Sequence, residues 1–487
     1  MSKKSVSINY FYNLFYQILV IVLPLITTPY LSRTLGAEAI GTYSFTLSIV
    51  TYFVLFGSLG VAIYGQREIA YVQDNKKSKT SIFWEIFLLR LITMVISMII
   101  YYLIYGIKGN YVIYYRILII ELINQAVDIS WFFQGLEEFK KTVIRNSAVK
   151  LLFVASVFLF IKTPNDLIKY ILIVSLANLF GNVSLWLYLP KYLNKIKLKE
   201  LNIIKHFKPI IILFIPQIAI QLYTVMDRTM IGMICPDIEE VGFYEQAQKI
   251  VKLLLTIVTS LGTVMIPRMA HTLSKDDQFM VKEYIKKSFS FVVFLAFPIC
   301  VGICLIAKEF VPIFFGEGYD QVIILIQVIS PIILFIGISN LIGNQYLLPA
   351  RKQKEFTISV TCGAVVNMIL NYFLIKEFAA MGASIATVIA EFVVVAIQSY
   401  YIYKIINIKE IFDIARNNII ATIVMFFVVV ILNKIVGLTE IACVVFKTVI
   451  GVLSYIGMLF LLKDEFVNTL VDKVLTFLHI KNKLNKI

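Results

Sequence analysis

Apolar runs of about twenty residues, separated by short polar breaks, recur along the whole of this 487-residue chain. Fourteen runs begin near Tyr10, Ala39, Ser81, Tyr111, Val143, Asp166, Lys208, Gly242, Ser288, Gln321, Phe356, Ala379, Asn417 and Ile441. Only helices and closed barrels satisfy the backbone inside a bilayer, and the sequence lacks the alternating strands of about ten residues that form barrels. It therefore predicts an all-α polytopic membrane protein with about 14 transmembrane helices.

The basic residues indicate membrane topology. The chain has 45 Lys and Arg against 30 Asp and Glu, a net charge of +15. Most of the basic residues lie in alternate breaks between runs, a pattern that favours topology over nucleic-acid binding. With a cytoplasmic N-terminus, the outer loops hold only Arg33, Lys108, Lys162, Lys169, Lys308, Lys376 and Lys434. The positive-inside rule then places both termini in the cytoplasm, and no nucleic-acid partner is expected.

Part of the first half of the chain is repeated roughly 200 residues later. The matched pairs are Pro24 and Pro216, Gly41 and Gly242, Ser58 and Ser260, Arg67 and Arg268, and Ala70 and Ala270. Six predicted helices separate the copies, so both copies have the same orientation and are related by an axis along the membrane normal. We expect the substrate to bind between the two halves.

The repeat predicts the domain organisation. Residues 1–190 form one six-helix bundle and residues 208–406 form a second, pseudo-symmetric one. The basic, amphipathic linker 191–207 is expected to lie along the cytoplasmic headgroups. Residues 407–463 add two transmembrane helices, and residues 464–487 are expected to form a cytoplasmic amphipathic tail.

The eighth run carries charges that are costly in lipid. A Lys, Arg or Asp at a helix centre costs about 2.5 to 3.5 kcal/mol, so such residues indicate function. The polar residues of this run recur at helical spacing and share one face: Glu245, Gln248, Lys249, Lys252, Thr256 and Thr259. Glu245 can neutralise Lys249, which leaves Lys252 in excess. A surplus of buried cations suits an anionic substrate, and we expect a phosphate group.

Other runs also have polar faces. They contribute Gln217, Gln221, Thr224, Asp227 and Arg228 in the seventh run, Glu121, Asn124, Gln125 and Asp128 in the fourth, and Glu391 in the twelfth. Together these faces predict a large, water-filled cavity. For isolated asparagines such as Asn182 and Asn340, interhelical hydrogen bonding is the alternative. Arg33 and Arg67 either extend the positive series or mark topology by snorkelling.

Residues 32–70, SRTLGAEAIGTYSFTLSIVTYFVLFGSLGVAIYGQREIA, resemble the polysaccharide-biosynthesis flippases, the Wzx type of the multidrug/oligosaccharidyl-lipid/polysaccharide exporter superfamily. The resemblance extends over nearly the whole chain in helix count, repeat and linker. It implies alternating-access transport of undecaprenyl-pyrophosphate-linked oligosaccharide units across the bacterial cytoplasmic membrane, for O-antigen, capsule or exopolysaccharide assembly. A polysaccharide polymerase and chain-length machinery would be partners. It also implies that Arg33 and Arg67 match the motif's arginines, and that Lys249 and Lys252 correspond to the family's cationic cavity.

The candidate substrate-binding residues are therefore Lys249, Lys252, Arg33, Arg67, Arg228, Gln217, Gln221, Asn124 and Gln248. The candidate sites for a coupling ion, H+ or Na+, are Glu245, Asp128, Asp227 and Glu391. No other cofactor, metal or catalytic residue is expected, because all three histidines are predicted to be cytoplasmic and no nucleotide-binding glycine motif occurs. The five cysteines lack paired spacing and predict no disulfide.

Two alternative functions remain open. A cation-coupled drug exporter of the same superfamily would favour an acidic, aromatic cavity, whereas cations prevail here. A membrane-embedded polysaccharide polymerase or ligase would need an acid, a base or an arginine-rich outer loop, and the predicted outer loops are short. The sequence favours the flippase over both, because the eighth run carries a surplus of cations and the outer loops are short.

Overall fold

The computed structural model describes residues 3–196, 199, 201–403, 405–433, 439–469 and 471. Within these ranges the chain is helical and has no β-strand. Nine helical segments of the described chain are long and apolar enough to cross a membrane, or up to ten if the bent pair Glu239–Thr259 and Val264–Ser274 is one span. Some segments, such as the 50 residues of Gln353–Ile402, exceed one membrane thickness. The predicted all-α polytopic fold is confirmed, and its fourteen spans are consistent with these helices.

The first of two compact units comprises Met1–Glu245. Its helices are α1 (Lys3–Ser58), α2 (Val61–Tyr71), α3 (Lys76–Tyr105), α4 (Val112–Val127), α5 (Ser130–Gly135), α6 (Phe139–Phe160), α7 (Leu167–Trp186), α8 (Phe207–Ile234) and the start of α9 (Glu239–Thr259). In this unit α1 packs against α3, α4, α6 and α8, and α7 packs against α4 and α6.

The second unit comprises Gln246–Ile487. After the rest of α9 it contains α10 (Gly262–Ser274), α11 (Gln278–Phe315), α12 (Asp320–Ile329), α13 (Ile332–Ser339), a π-helix (Asn340–Leu347), α14 (Gln353–Ile402), α15 (Ile408–Asn433) and α16 (Glu440–Leu461). The last two helices pack against each other and against α11. The boundary between the two compact units thus lies inside α9. The domain boundaries predicted from the repeat describe equivalent segments of the sequence, and they stay a prediction. Most of the predicted tail, 464–487, lies outside the described residues.

Two long helices are interrupted by a residue with a non-helical backbone. Gly36 (φ 80°, ψ 172°) divides α1 into residues 3–35 and 37–58. Ala379 (φ 48°, ψ −128°) divides α14 into residues 353–378 and 380–402. Glycine adopts a positive φ readily because it has no Cβ, whereas alanine is strained there. These breaks lie close to the predicted starts of the second and twelfth spans.

The two copies of the Ser-Leu-Gly motif mark equivalent breaks with different backbones. In the first copy, Leu59 (φ 50°) and Gly60 (φ 80°) are both left-handed and end α1. In the second copy, Leu261 (φ −62°) keeps a right-handed conformation before α10. The helices on either side of this second break are bent by 43°. The repeat therefore conserves the position of the break but not its turn geometry.

A close contact joins α1 to the start of α9 at two glycines that the repeat aligns. A Cβ added to Gly41 would lie 2.1 Å from the carbonyl oxygen of Ile238. A Cβ added to Gly242 would lie 2.2 Å from the carbonyl oxygen of Ala37. Both distances are far below van der Waals contact, so only glycine permits this approach of the two backbones.

The predicted linker packs on the first unit. The carboxylate of Glu85, with 1% of its side chain exposed, accepts hydrogen bonds from the backbone N–H of Asn202 at 2.8 Å and from Lys205 Nζ at 2.8 Å. His206 Nε2 lies 2.9 Å from the same carboxylate, and its Nδ1 lies 2.8 Å from the hydroxyl of Tyr64. A buried carboxylate needs such partners. Headgroup contact therefore cannot be the linker's only role, since Glu85 anchors its end to α3.

The outer surface of the described helices is apolar. Large exposed side chains include Leu159, Phe180, Leu152, Leu453 and Leu461. Exposed apolar area on this scale is unusual for a protein in water and is expected for one surrounded by lipid. The chain is a multi-pass membrane protein.

Candidate functional site

The polar stripe of the eighth predicted run lies on α9, as its spacing predicts. Gln248 is buried, Lys249 is half-buried, and Lys252 and Thr256 are exposed. The hydroxyl of Thr256 donates to the carbonyl oxygen of Leu253 at 2.6 Å, within the helix. The stripe is therefore most exposed at Lys252 and Thr256, and Lys249 lies at the start of this exposed part.

Two of the candidate acids have partners on α8 and α9. Glu245 Oε2 lies 3.2 Å from Arg228 Nη1, and both side chains are about one-fifth exposed. The hydroxyl of Tyr244 donates to Oδ2 of the buried Asp227. The sequence suggests Lys249 as the neighbour of Glu245, and the structure adds an arginine from another helix. Arg228, a candidate substrate cation, thus lies in an ion pair.

The stripe on α4 joins a polar network with α6 and α7. Asn124 Nδ2 donates to Glu121 Oε2 at 3.2 Å, and Asn182 Nδ2 donates to Asn124 Oδ1 at 2.6 Å. Arg145 on α6 donates from Nη1 to Asn182 Oδ1. This network supports the interhelical hydrogen-bonding interpretation for Asn182 and gives Asn124 a structural role beside its predicted one.

Asp128 lies at the junction of α4 and α5. Its carboxylate accepts from the backbone N–H of Ser130 at 2.9 Å and lies 3.9 Å from Arg90 Nη2. Arg90, only 2% exposed, also donates to the backbone carbonyl of Asp128 at 2.8 Å and to Gln125 at 3.0 Å. A buried arginine held by this turn compensates Asp128, which is therefore a less available ion site than its sequence position suggests.

The two arginines of the opening motif are both exposed. Arg33 lies three residues before the break at Gly36. Arg67 makes an exposed ion pair with Glu68 at 3.1 Å, and its guanidinium lies 5.4 Å from the ring centre of Tyr64. These placements suit the topology-marking interpretation, and their predicted contact with substrate stays a prediction.

The remaining candidates are dispersed. The amides of Gln217 and Gln221 are half-buried on α8, where Gln217 Nε2 donates to the carbonyl of Leu213 at 3.2 Å. Glu391 is buried on the second segment of α14. Within the described residues, no group of three or more His, Cys, Asp and Glu side chains is arranged to hold a metal ion. All five cysteines are free thiols.

An apolar groove of about 390 Å³ runs between α11, α15 and α16 in the second unit. Phe294, Ile303, Met425 and Val452 are among its lining residues. Lys447 is the charged residue in its wall, and its ammonium lies 2.8 Å from Glu309 and 3.2 Å from the carbonyl of Leu305. The groove can hold a hydrocarbon chain, and its one charge is already compensated.

Sequence reasoning missed the partners of two sets of polar residues. Arg145 lies a few residues inside the fifth apolar run, and this position is a signal for a buried partner. Ser48 and Tyr52 of α1 both lie within hydrogen-bond distance of the Thr229 hydroxyl, at 2.8 and 2.9 Å. Thr229 follows directly after Arg228, so α8 contributes a charged pair and a neutral cluster side by side.

Comparisons with known proteins agree with this helical fold. The sequence model of the family described as polysaccharide biosynthesis protein matches residues 6–273, and that of the MatE family matches residues 209–373. The chain is 27% identical over 388 residues to a putative O-antigen transporter of Escherichia coli K12, covering 78% of this chain and 92% of that protein.

Two further similarities are more distant. Over 193 residues the chain is 26% identical to the probable low-salt glycan biosynthesis flippase Agl15 of Haloferax volcanii, covering 38% of this chain and 39% of that one. The solved structure of the lipid II flippase MurJ in an inward closed conformation has the same fold, with a TM-score of 0.74, 16% identity, and coverage of 91% and 98%.

The relatives are named as transporters or flippases, which confirms the prediction of a transport protein rather than an enzyme. The family match covers more than half of the chain, in the region that carries the opening motif and the start of the repeat. The chain therefore belongs to the polysaccharide biosynthesis protein family, as the resemblance to the Wzx-type flippases predicts.

Proposed function

We propose that the chain is a flippase that moves undecaprenyl-pyrophosphate-linked oligosaccharide units across the bacterial cytoplasmic membrane for surface polysaccharide assembly. The observation that carries the proposal is the pair of lysines on α9, Lys249 half-buried and Lys252 exposed, on the polar face of a helix in an apolar protein. An ammonium group lowers the cost of bringing a diphosphate into a low-dielectric region. The names of the relatives, an O-antigen transporter and a glycan flippase, support the same substrate class.

The three chemical parts of this substrate have different requirements. The diphosphate requires cations, which we assign to Lys249 and Lys252. The sugars require groups that both donate and accept hydrogen bonds, such as the amides of Gln217, Gln221 and Gln248. The isoprenoid tail requires an apolar surface, and the groove between α11, α15 and α16 provides one.

Alternating access is the mechanism we propose. A diphosphate and its sugars cannot cross hydrocarbon unaided, because their polar groups would lose hydration without new partners. A protein that opens to one side at a time lets these groups remain solvated while the tail stays in lipid. The distribution of Lys and Arg supports cytoplasmic termini and thus entry from the cytoplasmic leaflet.

We further propose that a coupling ion, H+ or Na+, acts at one of the candidate carboxylates. Glu391 and Asp227 are both buried, whereas the partly exposed Glu245 and Asp128 lie 3.2 and 3.9 Å from Arg228 and Arg90. A buried carboxylate has lost its hydration, and binding H+ or Na+ compensates its charge. We therefore place the ion at one of the two buried carboxylates. Transport in vesicles that is unaffected by collapsing both proton and sodium gradients would contradict this assignment.

A drug exporter is the second candidate, and the match of residues 209–373 to the MatE family favours it. A polysaccharide polymerase and chain-length machinery are proposed partners only if the flippase function holds. The flippase and the drug exporter differ in substrate. A drug exporter would lower the cellular accumulation of organic cations, and its deletion would leave surface polysaccharide unchanged.

The test replaces both lysines, Lys249→Gln with Lys252→Gln, in cells that lack their own flippase. We expect surface polysaccharide to fall roughly a hundredfold, because two charge-assisted contacts with the diphosphate are lost. The matched control is Lys282→Gln with Lys286→Gln, which removes the same charge from a pair that contacts Glu410 at 2.9 and 3.4 Å. Normal export by the Lys249 and Lys252 variant, at equal membrane levels, would overturn the proposal.

A further inference from the structure

A π-helix interrupts the tenth predicted span. It covers Asn340–Leu347, directly after α13, and contains Asn340, Asn344 and Gln345. The π-helix is rare, and where it occurs it frequently marks a functional site because it changes the direction of side chains relative to the preceding α-helix. Here it brings three amide side chains into one short segment of an otherwise apolar span.

A cavity of about 510 Å³ lies beside this segment, and we call it the π-helix pocket. Its wall is formed by Thr259, Gly262, Ile266, Ala270, Asn340, Asn344, Leu348 and Pro349, all in the second unit. The volume is within the range of about 300 to 1,000 Å³ that is usual for small-molecule sites. None of the eight wall residues is charged, so the pocket suits a neutral ligand that forms hydrogen bonds.

The amide of Gln345 orients one wall residue. Gln345 is 2% exposed, and its Nε2 lies 3.4 Å from Asn340 Oδ1, to which it donates. Asn340 thus uses its oxygen as the acceptor, so its NH2 group remains to donate to a ligand. Within the described chain, Gln345 Oε1 is buried without a hydrogen-bond partner. A buried amide oxygen in this state is costly unless a ligand or water supplies a donor.

Gly262 leaves room for the amides of Asn340 and Gln345. A Cβ added to Gly262 would lie 2.8 Å from Asn340 Oδ1 and 3.3 Å from Gln345 Nε2. The side chains of Asn340 and Gln345 would then have to move. The absence of a side chain at position 262 therefore permits the amide pair to lie against the wall of the pocket.

The pocket lies along nearly the same face of α9 as the two lysines. Thr259 lies seven residues after Lys252, about 10 Å further along the helix and on nearly the same face. A diphosphate at Lys249 and Lys252 would thus place its nearest sugars within reach of the pocket. Sugar hydroxyl and acetamido groups both donate and accept hydrogen bonds, as do the Asn amides. A hydrocarbon tail would form no hydrogen bond with these amides.

We propose that the π-helix pocket binds the sugars closest to the diphosphate and so contributes to glycan affinity. This inference rests on the proposed function and names a second part of the same binding site. Asn340, Asn344 and Thr259 contact the sugar, and Gln345 positions Asn340. The pocket recognises polar sugar groups and has no charge with which to bind the diphosphate itself.

The experiment measures equilibrium binding to the full-length protein in nanodiscs. The probes are undecaprenyl diphosphate and the same lipid linked to a single N-acetylglucosamine or a single galactose. We expect the wild type to bind at least one sugar-linked lipid more tightly than the bare diphosphate lipid. Asn340→Ala with Asn344→Ala should remove this increment, a loss of roughly fivefold to fiftyfold, and should leave affinity for the bare lipid unchanged.

Gly262→Ala tests the same pocket sterically, and Gly457→Ala is its control, because a Cβ at Gly457 meets no atom within 4 Å. Only Gly262→Ala should reduce the additional affinity for the sugar-linked lipid over the bare lipid. The proposal is overturned if the wild type binds bare and sugar-linked lipids equally, or if the asparagine variant retains the increment at unchanged thermal stability. If the proposed flippase function itself is wrong, the result is different, because the wild type would then bind none of the three lipids.

Discussion

The repeat aligns one face of α1 with one face of α9, and the two faces have different environments. Ser44, Ser48 and Thr51 of α1 correspond to Glu245, Lys249 and Lys252 of α9. Ser48 is 1% exposed and its hydroxyl lies 2.8 Å from that of Thr229. Lys249 is half-buried and Lys252 is exposed.

The difference separates what the repeat conserves from what each half adds. Both copies conserve a helix with a polar face, because helical spacing alone specifies that feature. In the first copy the polar groups are small: the hydroxyl of Ser48 lies beside that of Thr229, and the hydroxyl of Thr51 donates to the carbonyl of Leu47 at 2.8 Å. In the second copy they are charged, and the helix leaves the lysines partly or fully exposed. Charge is therefore found on the copy whose face remains open.

The largest expected effect comes from a lysine placed on the buried polar face of α1. Ser48→Lys should destabilise the protein by about 3 to 5 kcal/mol or prevent its membrane accumulation, because it buries a charge without a partner. Thr256→Lys on the exposed part of α9 is the control and should be tolerated. Thermal unfolding in detergent, together with membrane yield, measures both. Equal stability of the two variants would show that the α1 face is not closed.

The glycine contact between α1 and α9 gives a second, smaller effect. Gly242→Ala should cost about 1 to 3 kcal/mol, because its Cβ would overlap the carbonyl of Ala37. Gly302→Ala on α11 has no atom within 4 Å of the new Cβ and should be neutral or slightly stabilising. Thermal unfolding of the two variants is the measurement. A neutral Gly242→Ala would mean that the two helices can separate at this point without cost.

The smallest expected effect concerns the ion pair at the start of the charged face of α9. In a double-mutant cycle, Arg228→Gln and Glu245→Gln should show a coupling of about 1 kcal/mol, because both side chains are partly exposed and screened by solvent. The cycle is measured by chemical or thermal unfolding. Zero coupling would indicate that Glu245 has another principal partner, and Lys249, one turn later, is the residue to test next.

Features set by local spacing could be predicted from the sequence. The helical class, the starts of the spans and the polar stripe of α9 all follow from apolar run length and helical period. The breaks at Gly36 and Ala379 lie close to their predicted positions, because short loops between predicted spans require a change of direction there.

Features that depend on distant partners could not be predicted. The bond from Arg145 to Asn182 joins α6 to α7, and the anchoring of His206 by Glu85 joins residues that are 121 positions apart. A single sequence can indicate that a charge inside an apolar run needs a partner, but it does not identify the partner. The π-helix at Asn340–Leu347 was also missed, because its 8 residues are too few for the changed hydrogen-bond spacing to alter the apolar pattern.

The meeting of Gly41 with Gly242 has a consequence for the origin of the molecule. In a symmetric dimer, residues on the two-fold axis touch their own copies in the partner, and a contact between equivalent positions is the mark of that axis. If each half were a separate, identical subunit, this glycine would lie on the axis and every substitution there would act twice. In the single chain each position can vary separately, so one copy of the repeat can carry lysines where the other carries serine and threonine.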